Sequence, residues 1–217
     1  LAPAVVANVP LGLGVMASFT SQVGDWLTRT VTLFSDRLLP FGAAEALRGT
    51  HIAEYPDFPT PGVLFRDITP LLANGPVFAT FIDELASHYR GRIDAVAGLE
   101  SRGFILAAPL AVRLGVGMIT VRKAGKLPPP VIGVDYALEY GTARMELRPD
   151  DVREGDRVLV IDDVLATGGT AAASIELIES AGAKVVATCV LLELGALGGR
   201  EKLPGRQVDA VVSFESA

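Results

Sequence analysis

Several residue types are scarce in this chain, and their scarcity excludes several kinds of protein. It has one cysteine, Cys189, among 217 residues, so no disulfide forms within the chain. Its two histidines, His51 and His88, are too few and too far apart in sequence to indicate a zinc site. Acidic side chains outnumber basic ones by 25 to 19, and the formal net charge of −6 provides no overall attraction to nucleic acid or to an anionic membrane. We therefore expect a protein of a reducing compartment, with neither nucleic acid nor membrane among its partners.

The first 24 residues contain no charged side chain. They are interrupted by prolines and glycines, and no basic residues precede their apolar part, which argues against a signal peptide and against a membrane span. We predict that residues 1–42 form a poorly ordered extension and that residues 43–217 fold as one domain. Insertion of the extension into a membrane is the alternative.

The rest of the chain alternates between two kinds of segment. Short runs rich in β-branched residues are the predicted strands: 93–99, 116–121, 157–161 and 184–192. Three segments beside them are the predicted helices: 77–89, 104–114 and 170–181. This alternation predicts an α/β fold, with a mostly parallel twisted sheet flanked by helices.

The segment 124–149 breaks the alternation. It contains three consecutive prolines and three glycines, yet the stretch ALEYGTARMEL within it has strand character. We interpret it as a flexible flap hairpin between two core strands.

Two adjacent aspartates, Asp162 and Asp163, follow the predicted strand 157–161. Ligands of open parallel sheets bind beyond the carboxyl ends of the strands, and a pair of carboxylates there suits a polyol, a cation or both. Residues 166–170 are rich in glycine and threonine and lead into a predicted helix, whose first N–H groups and dipole favour a phosphate. A tight turn alone would explain the glycines but not the acids. The pattern therefore indicates a ribose 5-phosphate site.

Basic residues follow two other predicted strands. Arg102 follows strand 93–99, and three more cations follow strand 116–121: Arg122, Lys123 and Lys126. All four are expected at the same edge of the sheet, where they would neutralise a diphosphate. A solvated charged run is the alternative for the second group on its own.

The stretch DDVLATGGT, residues 162–170, resembles the 5-phosphoribosyl diphosphate (PRPP) signature of type I phosphoribosyltransferases. Four further blocks resemble the adenine-using members of that family: DFPTPGVLFRDITPLL (57–72), GLESRGF (98–104), RKAGKLP (122–128) and LEYGTARMEL (138–147). The resemblance covers residues 43–217. It implies the type I phosphoribosyltransferase fold, with a small N-terminal hood beside the sheet.

The resemblance assigns each part of PRPP to particular residues. Asp162 and Asp163 are implied to bind the ribose hydroxyls. The 5-phosphate is assigned to Ala166, Thr167, Gly168, Gly169 and Thr170. The diphosphate is assigned to Ser101, Arg102, Lys123 and Lys126, with a non-proline cis peptide bond at Glu100-Ser101. Mg²⁺ is implied as cofactor, held mainly through PRPP, with only the two aspartates as candidate protein ligands.

The resemblance also implies how adenine is bound. It places the base against the ring of Phe65, with backbone groups near Leu64 and Arg66 at the edge of the base. Stacking is worth about 1–3 kcal/mol and tolerates any base, so hydrogen bonds must select adenine. Without the resemblance, Phe65 would be interpreted as a core residue, and Arg66 with Asp67 as a local ion pair.

The resemblance also indicates candidates for the catalytic groups. Members of the family that use hypoxanthine or guanine usually carry an aspartate, thought to be the general base, where this chain has Ala166. The flap carboxylate Glu139 is therefore the candidate acid/base group, and Arg102 is the candidate for stabilising the departing diphosphate. A surface acid on a mobile loop is the alternative interpretation of Glu139.

The implied activity is transfer of the 5-phosphoribosyl group from PRPP to adenine, which gives AMP and diphosphate in purine salvage. The resemblance also implies a cytoplasmic homodimer. Two alternatives stay open: a phosphoribosyltransferase for another base, and a PRPP-sensing regulator of the same fold. The extension has only Arg29 and Arg37 as cations, which speaks against a regulator that binds nucleic acid.

Overall fold

The computed structural model describes residues 51–137 and 141–215. Nine strands lie in these ranges: β1 (Ala53–Pro56), β2 (Leu64–Asp67), β3 (Ala95–Leu99), β4 (Gly117–Lys123), β5 (Ile132–Ala137), β6 (Thr142–Leu147), β7 (Arg157–Leu165), β8 (Lys184–Leu194) and β9 (Val208–Phe214). The α-helices are α1 (Thr69–Ala73), α2 (Gly75–Tyr89), α3 (Arg102–Leu114) and α4 (Gly169–Ser180). Each predicted strand and helix is present, with bounds that differ by a few residues.

The main sheet has seven strands in the order β5-β6-β4-β3-β7-β8-β9. Five of them, β4, β3, β7, β8 and β9, pair in parallel, while β5 and β6 form an antiparallel hairpin at one edge. This confirms the predicted α/β fold and the flap hairpin. Because β7 lies near the centre of the sheet, its carboxyl end is bordered by the loops that follow β3 and β8.

Both faces of the sheet are covered, as parallel sheets require. Along β7, Leu159 and Ile161 belong to the apolar cluster that includes α2 and α3 residues, whereas Val158 and Val160 belong to the cluster on the α4 side. Alternate residues of one strand therefore bury opposite faces. The single thiol, Cys189, is buried in the core on β8.

Strands β1 and β2 form a separate two-stranded antiparallel sheet, which corresponds to the predicted hood. A turn rich in proline and glycine joins them, and the amide of Gly62 donates to the carboxylate of Asp57 across it at 2.7 Å. Within the described ranges, no helix is long and apolar enough to cross a membrane.

Candidate active site

The two adjacent acids lie inside strand β7, not after it. Pairing of β7 with β3 ends at Gly98 and Ile161, whereas pairing with β8 continues to Leu165. The expectation that the strand ends at residue 161 is therefore wrong by four residues, because β8 is longer than β3 and keeps the chain extended. Asp162 and Asp163 consequently occupy the open position beside the loop that follows β3.

Alternation along β7 places the two acids in different surroundings. Asp163 is 3% exposed, and its Oδ2 lies 2.8 Å from Nε of Arg102, whereas Asp162 is half-buried and its Oδ1 accepts from the amide of Asp163 at 2.9 Å. Burial raises the pKa of Asp162 well above its ordinary value, and the neighbouring charge of Asp163 raises it further. Burial also raises the pKa of Asp163, although the charge of Arg102 opposes this. Hydroxyl donors or a cation would offset this cost of keeping the acids ionised.

Helix α3 approaches this pair closely. A Cβ added to Gly103 would lie 2.6 Å from the carbonyl oxygen of Ile161 and 3.1 Å from Oδ1 of Asp162. Only a glycine allows this approach, and it brings the preceding residue, Arg102, into contact with Asp163.

The glycine-rich turn, residues 166–170, leads directly from β7 into α4. Gly168 has a left-handed backbone (φ 77°) and caps the helix, which begins at Gly169. Thr170 donates from Oγ1 to the hydroxyl of Tyr136 at 3.2 Å, and the ring of Tyr136 packs against Gly169. The turn therefore presents the N-terminus of a 12-residue helix, as the sequence predicts, and contacts the flap strand β5.

Gly199 is a neighbour of this turn that the sequence analysis does not identify. A Cβ on Gly199 would lie 2.3 Å from the carbonyl oxygen of Ala166, and a Cβ on Gly168 would lie 2.3 Å from the carbonyl oxygen of Gly199. Arg200, the next residue, donates from Nη2 to Glu193 Oε2 at 2.8 Å and from Nη1 to the carbonyl of Val208 at 2.8 Å. The segment behind the turn is thus tied to β8 and β9.

Two of the predicted diphosphate residues, Lys123 and Lys126, contact a carboxylate to which the sequence analysis gives no role, whereas Arg102 pairs with Asp163. Glu100 accepts from the side chains of Lys126 and Arg122 and from the amide of Lys123. Arg122 also stacks near Phe104 of α3, with 5.8 Å from its Cζ to the ring centroid. Ser101 and the side chain of Lys123 are exposed, and the Glu100-Ser101 peptide bond is cis, which confirms that prediction.

Phe65 lies on β2 between two other groups. The ring of Phe58 meets it edge-on at 5.2 Å between centroids, and Cζ of Arg102 lies 5.6 Å from its centroid. Arg102 therefore contacts both the predicted base-stacking ring and the predicted ribose acid Asp163.

The neighbours of Phe65 have separate partners. Nε of Arg66 donates to Glu54 at 3.2 Å, and its guanidinium lies 4.1 Å from the ring centroid of Phe214. Asp67 accepts from the amide and hydroxyl of Thr69. The local Arg66-Asp67 pair is thus replaced by contacts to other elements. Leu64 is half-buried beside Phe65.

Glu139 lies outside the described residues, which end at Ala137 and resume at Gly141 on either side of it. Within residues 51–137 and 141–215, no group of three or more His, Cys, Asp or Glu side chains could hold a metal ion.

A family model and the individual relatives of this chain point to the same kind of protein. The model of the phosphoribosyl transferase domain family matches residues 71–213. The adenine phosphoribosyltransferase of Acidothermus cellulolyticus is 54% identical over 167 residues, which are 76% of this chain and 94% of that protein.

Solved structures agree with the sequence comparison. The adenine phosphoribosyltransferase of Thermoanaerobacter pseudethanolicus has a TM-score of 0.75 at 46% identity and covers 79% of this chain and 99% of its own. That of Saccharomyces cerevisiae, crystallised with adenine and an imino-altritol bisphosphate, has a TM-score of 0.74 at 38% identity and covers 78% and 98%.

Proposed function

Because this chain belongs to the phosphoribosyltransferase family, we propose that it transfers the 5-phosphoribosyl group of PRPP to adenine, giving AMP and diphosphate. The observation that carries the proposal is the arrangement on β7: two acids beside the N-terminus of α4, with Arg102 in contact with Asp163. The similar proteins named for adenine support the choice of acceptor.

The ribose 5-phosphate part of PRPP fits the β7 end of the site. Asp162 and Asp163 would accept hydrogen bonds from the ribose hydroxyls, and residues 166–170 would bind the 5-phosphate through backbone amides and the threonine hydroxyls. Ribose hydroxyls supply the donors that these partly desolvated acids need. This division assigns sugar and phosphate to adjacent stretches of one chain segment.

The diphosphate is the leaving group, and it fits the loops after β3 and β4. Breaking the anomeric bond builds negative charge on the diphosphate and positive charge on the ribose. Arg102, Lys123 and Lys126 would stabilise the leaving group, and the backbone amide of Ser101 would donate to it. The ammonium of Lys123 has no ion-pair partner within the described ranges, so it is available to the ligand.

Adenine would stack on Phe65, whose ring is held by Phe58 and Arg102. The hydrogen bonds that select the base would come from backbone groups near Leu64 and Arg66. Strand β2 pairs only with β1 among the described residues, which leaves its other edge for the base. The side chain of Arg66 is directed to Glu54 and Phe214, so a role in binding would fall to its backbone.

Adenine N9 attacks C1′ of the ribose and must lose a proton. Ala166 offers no carboxylate, so Glu139 is the acid/base group we propose. The hairpin strands β5 and β6 end on either side of it, and Tyr136 near that end contacts Thr170. Closure of the hairpin over the site would exclude water, which otherwise hydrolyses PRPP.

Mg²⁺ fits this donor set as an ion bound largely to the substrate. Mg²⁺ prefers oxygen ligands, keeps several waters and commonly uses one or two carboxylates with substrate phosphates. Asp162 and Asp163 would supply the protein oxygens, and the ion would supply charge neutralisation to the diphosphate.

We also propose a homodimer in the cytoplasm. Helix α3 exposes apolar side chains at helical spacing, Ile105 and Val112, and Val112 is 82% exposed. An apolar stripe on a helix that starts in the active site suits contact with a second copy of the chain. The single buried thiol suits a reducing compartment.

The proposed function is tested by supplying PRPP and Mg²⁺ with adenine, hypoxanthine, guanine or orotate and measuring AMP or its counterpart and diphosphate. We expect turnover with adenine alone, abolished by Asp162→Asn/Asp163→Asn. Turnover with another base would retain the PRPP site and reject the adenine pocket. Binding of PRPP without any turnover would favour a PRPP-sensing regulator.

A further inference from the structure

Glu100 is a buried carboxylate at the active edge of the sheet that neither the acid pair nor the flap accounts for. It directly follows β3, and its side chain is only 7% exposed. Its backbone amide donates to the carbonyl of Val121 at 3.0 Å, so it lies beside the end of β4. A carboxylate in such a position must be paired to remain ionised.

Its partners all come from residues 122–126, the basic loop, which comprises the last two residues of β4 and the turn after it. Oε2 accepts from the amide of Lys123 at 2.9 Å and from Nε of Arg122 at 3.4 Å, and Oε1 accepts from Nζ of Lys126. The loop is closed further by Arg122, whose Nη1 donates to the carbonyl of Lys126 at 3.2 Å. One carboxylate therefore holds both ends of the basic loop.

The charge of Glu100 is maintained by these contacts. Burial acts to raise its pKa, but hydrogen bonds from Lys126 and from the amide of Lys123, with the charges of Lys126 and Arg122, outweigh burial and lower the pKa. The cations need this partner as well, because three basic side chains within five residues repel one another.

Lys123 contacts Glu100 in a different way from Arg122 and Lys126. Glu100 binds its backbone amide and not its ammonium, while Arg122 and Lys126 bind Glu100 through their side chains. The backbone of Lys123 is thereby held by Glu100, while its exposed side chain forms no ion pair within the described ranges. Arg102, two residues after Glu100, contributes the next cation along the chain.

We propose that Glu100 is the positioning residue of the diphosphate subsite, and that it sets the places of Arg122, Lys123 and Lys126 before the substrate arrives. The proposal rests on the proposed function, because it concerns the leaving group of PRPP. Glu100 acts through these cations and does not contact the reacting atoms. Its loss therefore weakens ligands that carry a diphosphate and spares ligands that lack one.

The test compares inorganic diphosphate with AMP as ligands of Glu100→Gln and Glu100→Asp. We expect Glu100→Gln, which removes the charge, to weaken diphosphate about tenfold, the effect of roughly one charge-assisted hydrogen bond, and to change AMP affinity less than twofold. Glu100→Asp keeps the charge but is shorter, so an intermediate loss of diphosphate affinity is expected. Glu179→Gln, which removes a carboxylate paired with Arg206, is the matched control and is expected to alter neither affinity.

Each outcome decides the proposal. Tighter or unchanged diphosphate binding in Glu100→Gln would mean that Glu100 competes with the ligand or has no part in its binding, and would overturn it. Equal losses for diphosphate and AMP would show a general structural defect and also overturn it. If Glu100→Gln does not fold, Glu100→Asp decides alone. A loss of diphosphate affinity that exceeds the loss of AMP affinity would support the proposal, and equal losses would overturn it. Failure of the wild type to turn over adenine would instead count against the proposed function.

Discussion

Gly168 and Gly199 approach each other so closely that a Cβ on Gly168 would lie 2.3 Å from the carbonyl oxygen of Gly199. The two segments also meet at a second point, because a Cβ on Gly199 would lie 2.3 Å from the carbonyl oxygen of Ala166. Gly168 and Gly199 are 31 residues apart in sequence. The proposed phosphate-binding turn therefore packs against the backbone of a segment that is distant in sequence.

We predict that Gly199→Ala displaces this turn. The added methyl group must move backbone atoms, so we expect a loss of about 1–3 kcal/mol in the free energy of unfolding. We also expect about a tenfold rise in the KM for PRPP, because the 5-phosphate loses optimally placed amides. Denaturant unfolding and initial rates measure both. Gly75→Ala, where a Cβ meets nothing within 4 Å, is the control, and equal behaviour of the two variants would contradict the prediction.

We predict that Asp162→Asn abolishes turnover and stabilises the fold at neutral pH. The pKa of Asp162 is raised in the folded state, so the folded protein binds more protons than the unfolded chain between the ordinary value of 3.8 and the folded value. Stability therefore falls as pH rises through that window. A gain on the order of 1 kcal/mol would raise Tm by about 2–4 °C at pH 7.

The neighbouring acid provides the comparison for this prediction. Asp163→Asn should give a smaller gain in Tm, because it removes the partner of Arg102. Exposed Asp150, substituted to Asn, should change the free energy of unfolding by less than about 0.5 kcal/mol. A lower Tm for Asp162→Asn at pH 7 would contradict the account of its pKa.

We predict that Phe65→Leu weakens adenine much more than PRPP. Removing a stacking ring costs about 1–3 kcal/mol, so the KM for adenine should rise about tenfold or more, while PRPP affinity changes little. Phe65→Tyr keeps the ring and should retain the adenine KM within about twofold. Steady-state kinetics with each substrate varied in turn measures this, and equal effects of both variants would exclude stacking as the role of Phe65.

We predict that Glu139→Gln lowers turnover far more than it raises the KM for adenine. A positioned acid/base group contributes about a hundredfold or more to the rate, and its amide keeps the size of the side chain. Single-turnover rates separate the chemical step from product release. A turnover within about twofold of wild type would remove Glu139 from the mechanism.

The chain itself determined the local parts of this site. Asp162, Asp163 and the turn 166–170 are consecutive, so a buried strand, two acids and a glycine-rich turn are visible without knowing any distant contact. Local patterns also predict strands β3, β4, β7 and β8 and helices α2, α3 and α4. They do not assign β1, β2, β9 or α1, since a short apolar run does not by itself distinguish a strand from another buried segment.

Tertiary structure decided the contacts between distant segments. The continuation of β7 to Leu165 depends on the length of β8, and the partner of Arg66 is Glu54 because β1 pairs with β2. Glu100 meets Lys126, and Gly199 meets the turn, only because strand order brings separate loops to one edge of the sheet. Periodicity records which face of an element is buried, whereas close approaches of 2–3 Å depend on the register and packing of elements far apart in the chain.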